Sequence, residues 1–153
     1  MRIYLVQHGE AKKENEDPLR PLTEEGIKNA EKVASYLAKL NLKIKKIFHS
    51  GKLRAKQTAE IYGKYLKPEE GIEESEGLNP LDNVKIWIEK IKRINEDIML
   101  VGHLPHLSKL TSALIIGNEE KVSKFKMAGT VCLEKDEKEK WSILWAIPPD
   151  IIP

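Results

Sequence analysis

The sequence has little of several features that mark whole classes of protein. It contains one cysteine, Cys132, which excludes the small secreted proteins that depend on a disulfide framework. We expect this thiol to be a small buried side chain in a strand and the protein to occupy a reducing compartment, the cytoplasm. No apolar run approaches the length of a membrane span. The apolar residues 3–6 are also too few for a signal peptide.

The chain also lacks an excess of charge of one sign. Its 26 Lys and Arg residues face 24 Asp and Glu residues, the formal net charge is +2, and lysines alternate with glutamates along the chain. Nucleic-acid-binding domains concentrate basic residues on one face, so we expect neither a nucleic-acid partner nor a membrane partner. Charge of both signs is abundant, at 33% of residues, and favours an ion-paired surface.

Apolar periodicity predicts strands that alternate with helices. With 153 residues and no linker, repeat or low-complexity segment, we expect a single domain over 1–153. The acidic segment 71–79 is expected to be an exposed loop, and Thr23 and Asp82 are candidate N-caps. The predicted strands are 3–6, 44–48 and 98–101, the predicted helices are 23–40, 52–65, a segment after Asp82 and 107–116, and a hairpin joins 130–134 to 141–147. This order predicts a three-layer α/β/α fold with a mainly parallel sheet and an antiparallel edge.

Three of the four histidines follow predicted strands. His8 ends the first, His49 and Ser50 end the second, and His103 ends the third. Open α/β sheets bind ligands at the carboxyl ends of their strands. We therefore expect these side chains to meet, together with Arg54 from the first turn of the next helix.

Four spaced motifs contain these residues: His-Gly-Glu at 8–10, Arg-Pro-Leu-Thr-x-x-Gly at 20–26, Ser-x-x-Leu-Arg-Ala-x-Gln-Thr at 50–58, and Gly-His-x-Pro at 102–105. In this order they resemble the histidine phosphatase superfamily, and the short chain resembles its SixA-type phosphohistidine phosphatases. The resemblance implies a doubly wound, phosphoglycerate mutase-like fold and a phosphorylated histidine intermediate. It also implies that no metal or organic cofactor takes part.

The chemistry of phosphoryl transfer suits these residue types. A neutral His8 could attack phosphorus and water could then hydrolyse the phosphohistidine. Arg54 offers a planar fork of donors to phosphate oxygens, and His103, if protonated, adds a second cationic donor. We expect Ser50 among the phosphate-binding residues, and expect His49 and His106 to be structural.

Gln7 departs from the family pattern, which has arginine immediately before the nucleophile. Glutamine can donate an amide hydrogen to phosphate but brings no charge. A hydrogen bond to a charged group contributes roughly 1.5–3 kcal/mol, so the loss of its ionic part corresponds to about tenfold to a hundredfold in rate. Arg20 is the candidate for compensation, since it could reach the phosphate from the loop after the first strand.

The leaving group bears on the substrate. Phosphate esters benefit from a general acid, for which Glu76 is the only candidate, whereas a phosphoramidate leaves as neutral imidazole. The chain also lacks long insertions that enclose small substrates. We therefore expect a phosphohistidine-bearing protein, such as a histidine phosphotransfer domain, as partner. A small-molecule phosphomonoesterase and a weakly active or non-enzymatic phosphate-binding module stay open as alternatives. A metal site at His103 and His106 is least favoured, because no carboxylate or cysteine completes its ligand set.

Overall fold

Six strands and four helices alternate along the chain in the computed structural model, which describes residues 1–153. The elements are β1 (Arg2–Gln7), α1 (Glu24–Ala38), β2 (Ile47–His49), α2 (Leu53–Leu66), β3 (Ile72–Glu74), α3 (Lys85–Lys92), β4 (Ile98–Gly102), α4 (His106–Ile116), β5 (Thr130–Lys135) and β6 (Trp141–Ile147), followed by a 3₁₀ turn at Pro149–Ile151. None of the helices combines the length and apolar character that crossing a bilayer requires.

The strands form one sheet in the order β3-β2-β4-β1-β5-β6. The first four strands run parallel, while β5 pairs antiparallel with β1 and β6 pairs antiparallel with β5. The mainly parallel sheet with an antiparallel edge, predicted from the alternation of elements, is therefore confirmed.

Two hydrophobic cores lie on opposite faces of this sheet. Alternate residues of β1 point to different cores: Tyr4 and Val6 pack against α1 and α2, whereas Ile3 and Leu5 pack against α3 and α4. The strand period of two produces this division. Because both faces are covered, every residue of β4 is buried, and only the first and last residues of β1 are partly exposed.

The structure differs from the sequence prediction around the edge of the sheet. The strand expected over 44–48 covers only Ile47–His49. The segment 71–79, expected to be a loop, contains β3, which pairs with β2. All three residues of β3 are exposed, so the strand carries none of the apolar alternation that reveals a strand in a sequence.

The starts of α1 and α3 show one correct and one incorrect N-cap prediction. Thr23 caps α1, because its hydroxyl accepts the N–H of Gly26 at 3.0 Å. Asp82 does not cap α3: its carboxylate accepts the N–H of Asn79 at 3.0 Å and closes the preceding turn, while Val84 takes the N-cap position. Gly26 has a second role, since a Cβ there would lie 2.1 Å from the carbonyl oxygen of Glu10. The loop after β1 can therefore pack directly on α1.

Candidate active site

The carboxyl ends of β1, β2 and β4 bring three motif residues together. The N–H of His8 donates to the carbonyl of Gly102 at 3.0 Å. The rings of His8 and His103 lie 5.0 Å apart between centroids, and Ser50 Oγ lies 2.6 Å from His103 Nε2. The meeting of side chains that the sequence predicts at this sheet edge is thus present.

His8 is held in one tautomer. Its Nδ1 lies 2.7 Å from the carbonyl oxygen of Gly9, and because a carbonyl only accepts, Nδ1 carries the hydrogen and Nε2 carries the lone pair. Burial above all, together with the charges of Arg54 and Arg20, lowers the pKa of His8 to about 4 against the opposing effect of the Gly9 hydrogen bond. The imidazole is therefore neutral at pH 7, as a nitrogen nucleophile must be.

The first turns of α2 hold the loops of the site in place. Thr58 Oγ1 accepts the N–H of Gly9 at 3.0 Å and donates to the carbonyl of Arg54 at 2.7 Å. Gln57 Oε1 accepts the N–H of Leu22 at 2.8 Å. Sequence reasoning noted Gln57 and Thr58 only as motif positions. Their contacts show that they position the backbone beside His8.

Two guanidinium groups lie near His8 without a carboxylate partner. Arg54 is the second residue of α2, and its Nε is buried without a hydrogen bond. Burial and the charge of Arg20 lower the pKa of Arg54. Arg20 adopts a positive φ of 50° and its Nε donates to the carbonyl of Lys12 at 3.1 Å. Unpaired cations of this kind form a site for an anion.

His103 is neutral in the free protein. Burial above all, together with nearby His8, Arg54 and Lys52, lowers its pKa to about 3. Its Nδ1 is buried without a partner. This neutral form differs from the protonated His103 that the sequence analysis considered, because burial disfavours the charged ring. The hydroxyl of Ser50, expected to contact phosphate, contacts His103.

Gln7 and Glu76 lie outside this set of contacts. The backbone of Gln7 pairs with Gly102, and its carbonyl accepts the N–H of Ala128 at 3.0 Å. Its half-buried side chain forms no hydrogen bond within the protein. Glu76 is exposed, and its main-chain carbonyl accepts the indole N–H of Trp87 at 3.2 Å. No hydrogen bond or ion pair joins the Glu76 carboxylate to His8, Arg54 or His103.

The remaining histidines differ from each other. His49 Nδ1 accepts the N–H of Gly51 at 3.0 Å and shapes the turn after β2. His106 is fully buried at the start of α4 with both ring nitrogens unpaired. Burial lowers the pKa of each. No group of three or more His, Cys, Asp or Glu side chains is arranged to hold a metal ion.

Comparison with known proteins agrees with this geometry. The family model of the histidine phosphatase superfamily (branch 1) matches residues 3–86. The phosphohistidine phosphatase SixA of Escherichia coli is 25% identical over 154 residues, which cover 97% of this chain and 94% of that protein. An uncharacterized protein of Picosynechococcus is 33% identical over 141 residues, which cover 87% of this chain and 84% of that one.

Solved structures share the fold. The histidine phosphatase SixA complexed with tungstate superposes with a TM-score of 0.87 at 24% identity and covers 100% of both chains. The His-to-Ala variant of a phosphoserine phosphatase from Entamoeba histolytica, in complex with phosphoserine, has a TM-score of 0.73 at 16% identity and covers 99% of both chains. At these identities the likeness establishes a common architecture.

Proposed function

This chain belongs to the histidine phosphatase superfamily as a phosphatase of the SixA type, and we propose that it hydrolyses phosphohistidine carried by another protein. In this proposal His8 is the nucleophile, and Arg54 and Arg20 bind the phosphoryl group. His103 is a further donor to the phosphoryl group, Ser50 positions His103, and Gln7 supplies a neutral amide to the phosphate.

The reaction has two steps. In the first, a proton from solvent binds the free ring nitrogen of the substrate phosphohistidine and the lone pair on His8 Nε2 attacks phosphorus. The P–N bond to the substrate then breaks with its electron pair going to the substrate nitrogen, so the substrate imidazole leaves as a neutral ring. In the second, water attacks the phosphoryl group on His8, the new P–N bond breaks, and inorganic phosphate leaves. His8 returns to its neutral form, so the cycle is complete.

The fixed tautomer of His8 is the observation that carries the proposal. The Gly9 carbonyl holds the hydrogen on Nδ1 at 2.7 Å, so Nε2 is the only ring nitrogen free to attack. The low pKa of His8 keeps this nitrogen unprotonated at neutral pH. A histidine with a purely structural role gains nothing from a ring nitrogen that has no partner and faces two guanidinium groups.

The negative charge of the substrate would change the protonation of the site. Arg54 and Arg20 lower the pKa of His8, and Arg54 also lowers that of His103. A bound phosphoryl group would offset both guanidinium charges and raise the pKa of His103. His103 could then become the cationic donor that the sequence suggested, but only with the phosphoryl group in place.

The choice of a phosphoramidate substrate rests on the leaving group. An ester would require a general acid, and the Glu76 carboxylate is exposed and makes no contact with the site. The name of the Escherichia coli relative, a phosphohistidine phosphatase, supports the same substrate class. A Glu76→Gln variant should therefore retain phosphohistidine hydrolysis within about twofold, whereas an ester phosphatase that used this acid would lose about 10²–10⁴-fold.

Rapid quenching tests the intermediate. The protein is mixed with a radiolabelled phosphohistidine protein, quenched within milliseconds, and digested to find the labelled peptide. We expect label on the peptide that contains His8 and none in the His8→Ala variant, with His49→Ala as the control that keeps the nucleophile. Equal phosphate release by wild type and His8→Ala would overturn the proposal.

A further inference from the structure

A groove opens beside the active site, between the start of α4 and the segment that follows α4. Its volume is about 360 Å³. Leu104 and Pro105 form one wall, Lys121 and Lys124 stand on the other, and the largely buried Phe125 adds to the apolar lining. The mechanism proposed above uses none of these residues.

The groove adjoins the candidate active site through the chain on both of its sides. Leu104 directly follows His103 in the chain and is 39% exposed. On the opposite side, the segment 121–125 leads to Ala128, whose N–H donates to the carbonyl of Gln7 at 3.0 Å. Both walls are thus attached to the ends of strands that carry site residues, so a molecule with its phosphoryl group at His8 could extend into the groove.

The groove combines apolar surface with unpaired polar groups. Lys121 and Lys124 are exposed and form no ion pair. The hydroxyl oxygen of Ser123, which also lines the groove, is buried and has no hydrogen-bond partner. A buried hydroxyl without a partner is unfavourable. These groups suit a ligand with carboxylates for the lysines and a hydrogen-bond acceptor for Ser123.

We infer that this groove binds an acidic surface segment of the phosphohistidine-bearing protein, with an apolar side chain of that segment against Leu104 and Phe125. This inference rests on the proposed function and specifies the surface charge of the partner. Charge complementarity favours an acidic occupant, because the charged residues that line the groove are Lys121 and Lys124 and no carboxylate lines it. Free phosphohistidine is too small to fill the site and the groove together.

Charge reversal at the two lysines tests the inference. The probe is a phosphorylated histidine-phosphotransfer domain of net negative charge, compared with free phosphohistidine. In the Lys121→Glu/Lys124→Glu variant we expect KM for the protein substrate to rise about tenfold, with kcat and the hydrolysis of free phosphohistidine changed less than twofold. The control variant Lys28→Glu/Lys138→Glu makes the same change in net charge at exposed lysines away from the groove.

A binding measurement separates this inference from the proposed function. Each lysine variant is combined with His8→Ala, and its affinity for the phosphorylated domain is measured by titration calorimetry at low and high salt. Weaker binding only for the groove variant, with a smaller salt dependence, supports the inference. Equal binding by the groove and control variants would overturn it. Failure of the wild-type protein to release phosphate from either substrate would instead overturn the proposed function.

Discussion

The positively charged side chain of Lys45 is paired with carboxylates at the amino end of the sheet, whereas those of Arg54 and Arg20 at the carboxyl end are not. At the amino end, Lys45 Nζ lies 3.2 Å from a carboxylate oxygen of Glu96, 3.5 Å from one of Glu69 and 3.8 Å from one of Glu70. At the carboxyl end, Arg54 and Arg20 have no carboxylate partner, and each opposes the charge of the other.

This difference suggests that the paired charges at the amino end contribute to stability and the unpaired charges at the carboxyl end contribute to function. The charges at the amino end are neutralised by other side chains of the protein, and each exposed pair of this kind contributes little to the free energy of unfolding. The guanidinium groups at the carboxyl end have no carboxylate partner, so a bound anion would supply their counter-charge. Substitutions at the two ends should therefore affect different properties.

The largest effect is expected when one positive charge is removed at the carboxyl end of the sheet and the result is compared with the removal of one at the amino end. Arg54→Ala should lower kcat for phosphohistidine hydrolysis by about 10²–10³-fold, the usual effect of removing a donor that stabilises charge in a transition state. It should not lower the urea midpoint, because the Arg54 Nε has no hydrogen-bond partner and its charge is repelled by that of Arg20 rather than neutralised by a carboxylate.

The matched variant is Lys45→Ala. Its activity should stay within about twofold of wild type, while its urea midpoint falls by an amount that added salt reduces. A loss of activity in Lys45→Ala, or a loss of stability in Arg54→Ala that exceeds it, would contradict the division between the two ends.

A smaller effect is expected when positive charge is added to the carboxyl end. Gln7→Arg should raise kcat/KM by about tenfold to a hundredfold, since an ionic contact to phosphate replaces a neutral one. The side chain of Gln7 forms no hydrogen bond that the change would break. The uncharged variant Gln7→Met serves as control and should be slower than wild type.

Arg20→Ala in both backgrounds shows whether Arg20 compensates for Gln7. If it does, Arg20→Ala lowers kcat/KM more in the wild type than in Gln7→Arg, and the double-mutant cycle gives a non-zero coupling. Equal losses in the two backgrounds would show that Arg20 acts independently of position 7.

The smallest effect concerns stability and pH. The folded-state pKa values of His8 and His103, about 4 and about 3, lie below the ordinary value of 6.5. The unfolded chain therefore binds protons more readily, so stability is complete above about pH 6.5 and declines as the pH falls toward 4. The urea midpoint should be lower at pH 5 than at pH 7, and His103→Asn should reduce that difference. The same dependence in wild type and variant would show that His103 does not contribute.

Much of the site could be predicted because its residues are tied to local patterns. His8 and His103 follow buried strands, and Arg54 lies in the first turn of a helix, so chain order and the parallel sheet suffice to bring them together. The strand β3 could not be predicted, because its three exposed residues form a strand only through pairing with β2. The role of Asp82 was also hidden, since the turn it closes competes with a helix cap.

Sequence alone determined the class of fold, the proposed nucleophile and the candidate cationic residues around it, because apolar spacing and motif order are properties of the chain. Tertiary structure alone decided the protonation of the site. The tautomer of His8 depends on its distance to the Gly9 carbonyl, and the neutral state of His103 depends on burial and on charges brought from other elements. Proton affinity is set by the three-dimensional surroundings of a group, and those surroundings exist only once the strands have assembled.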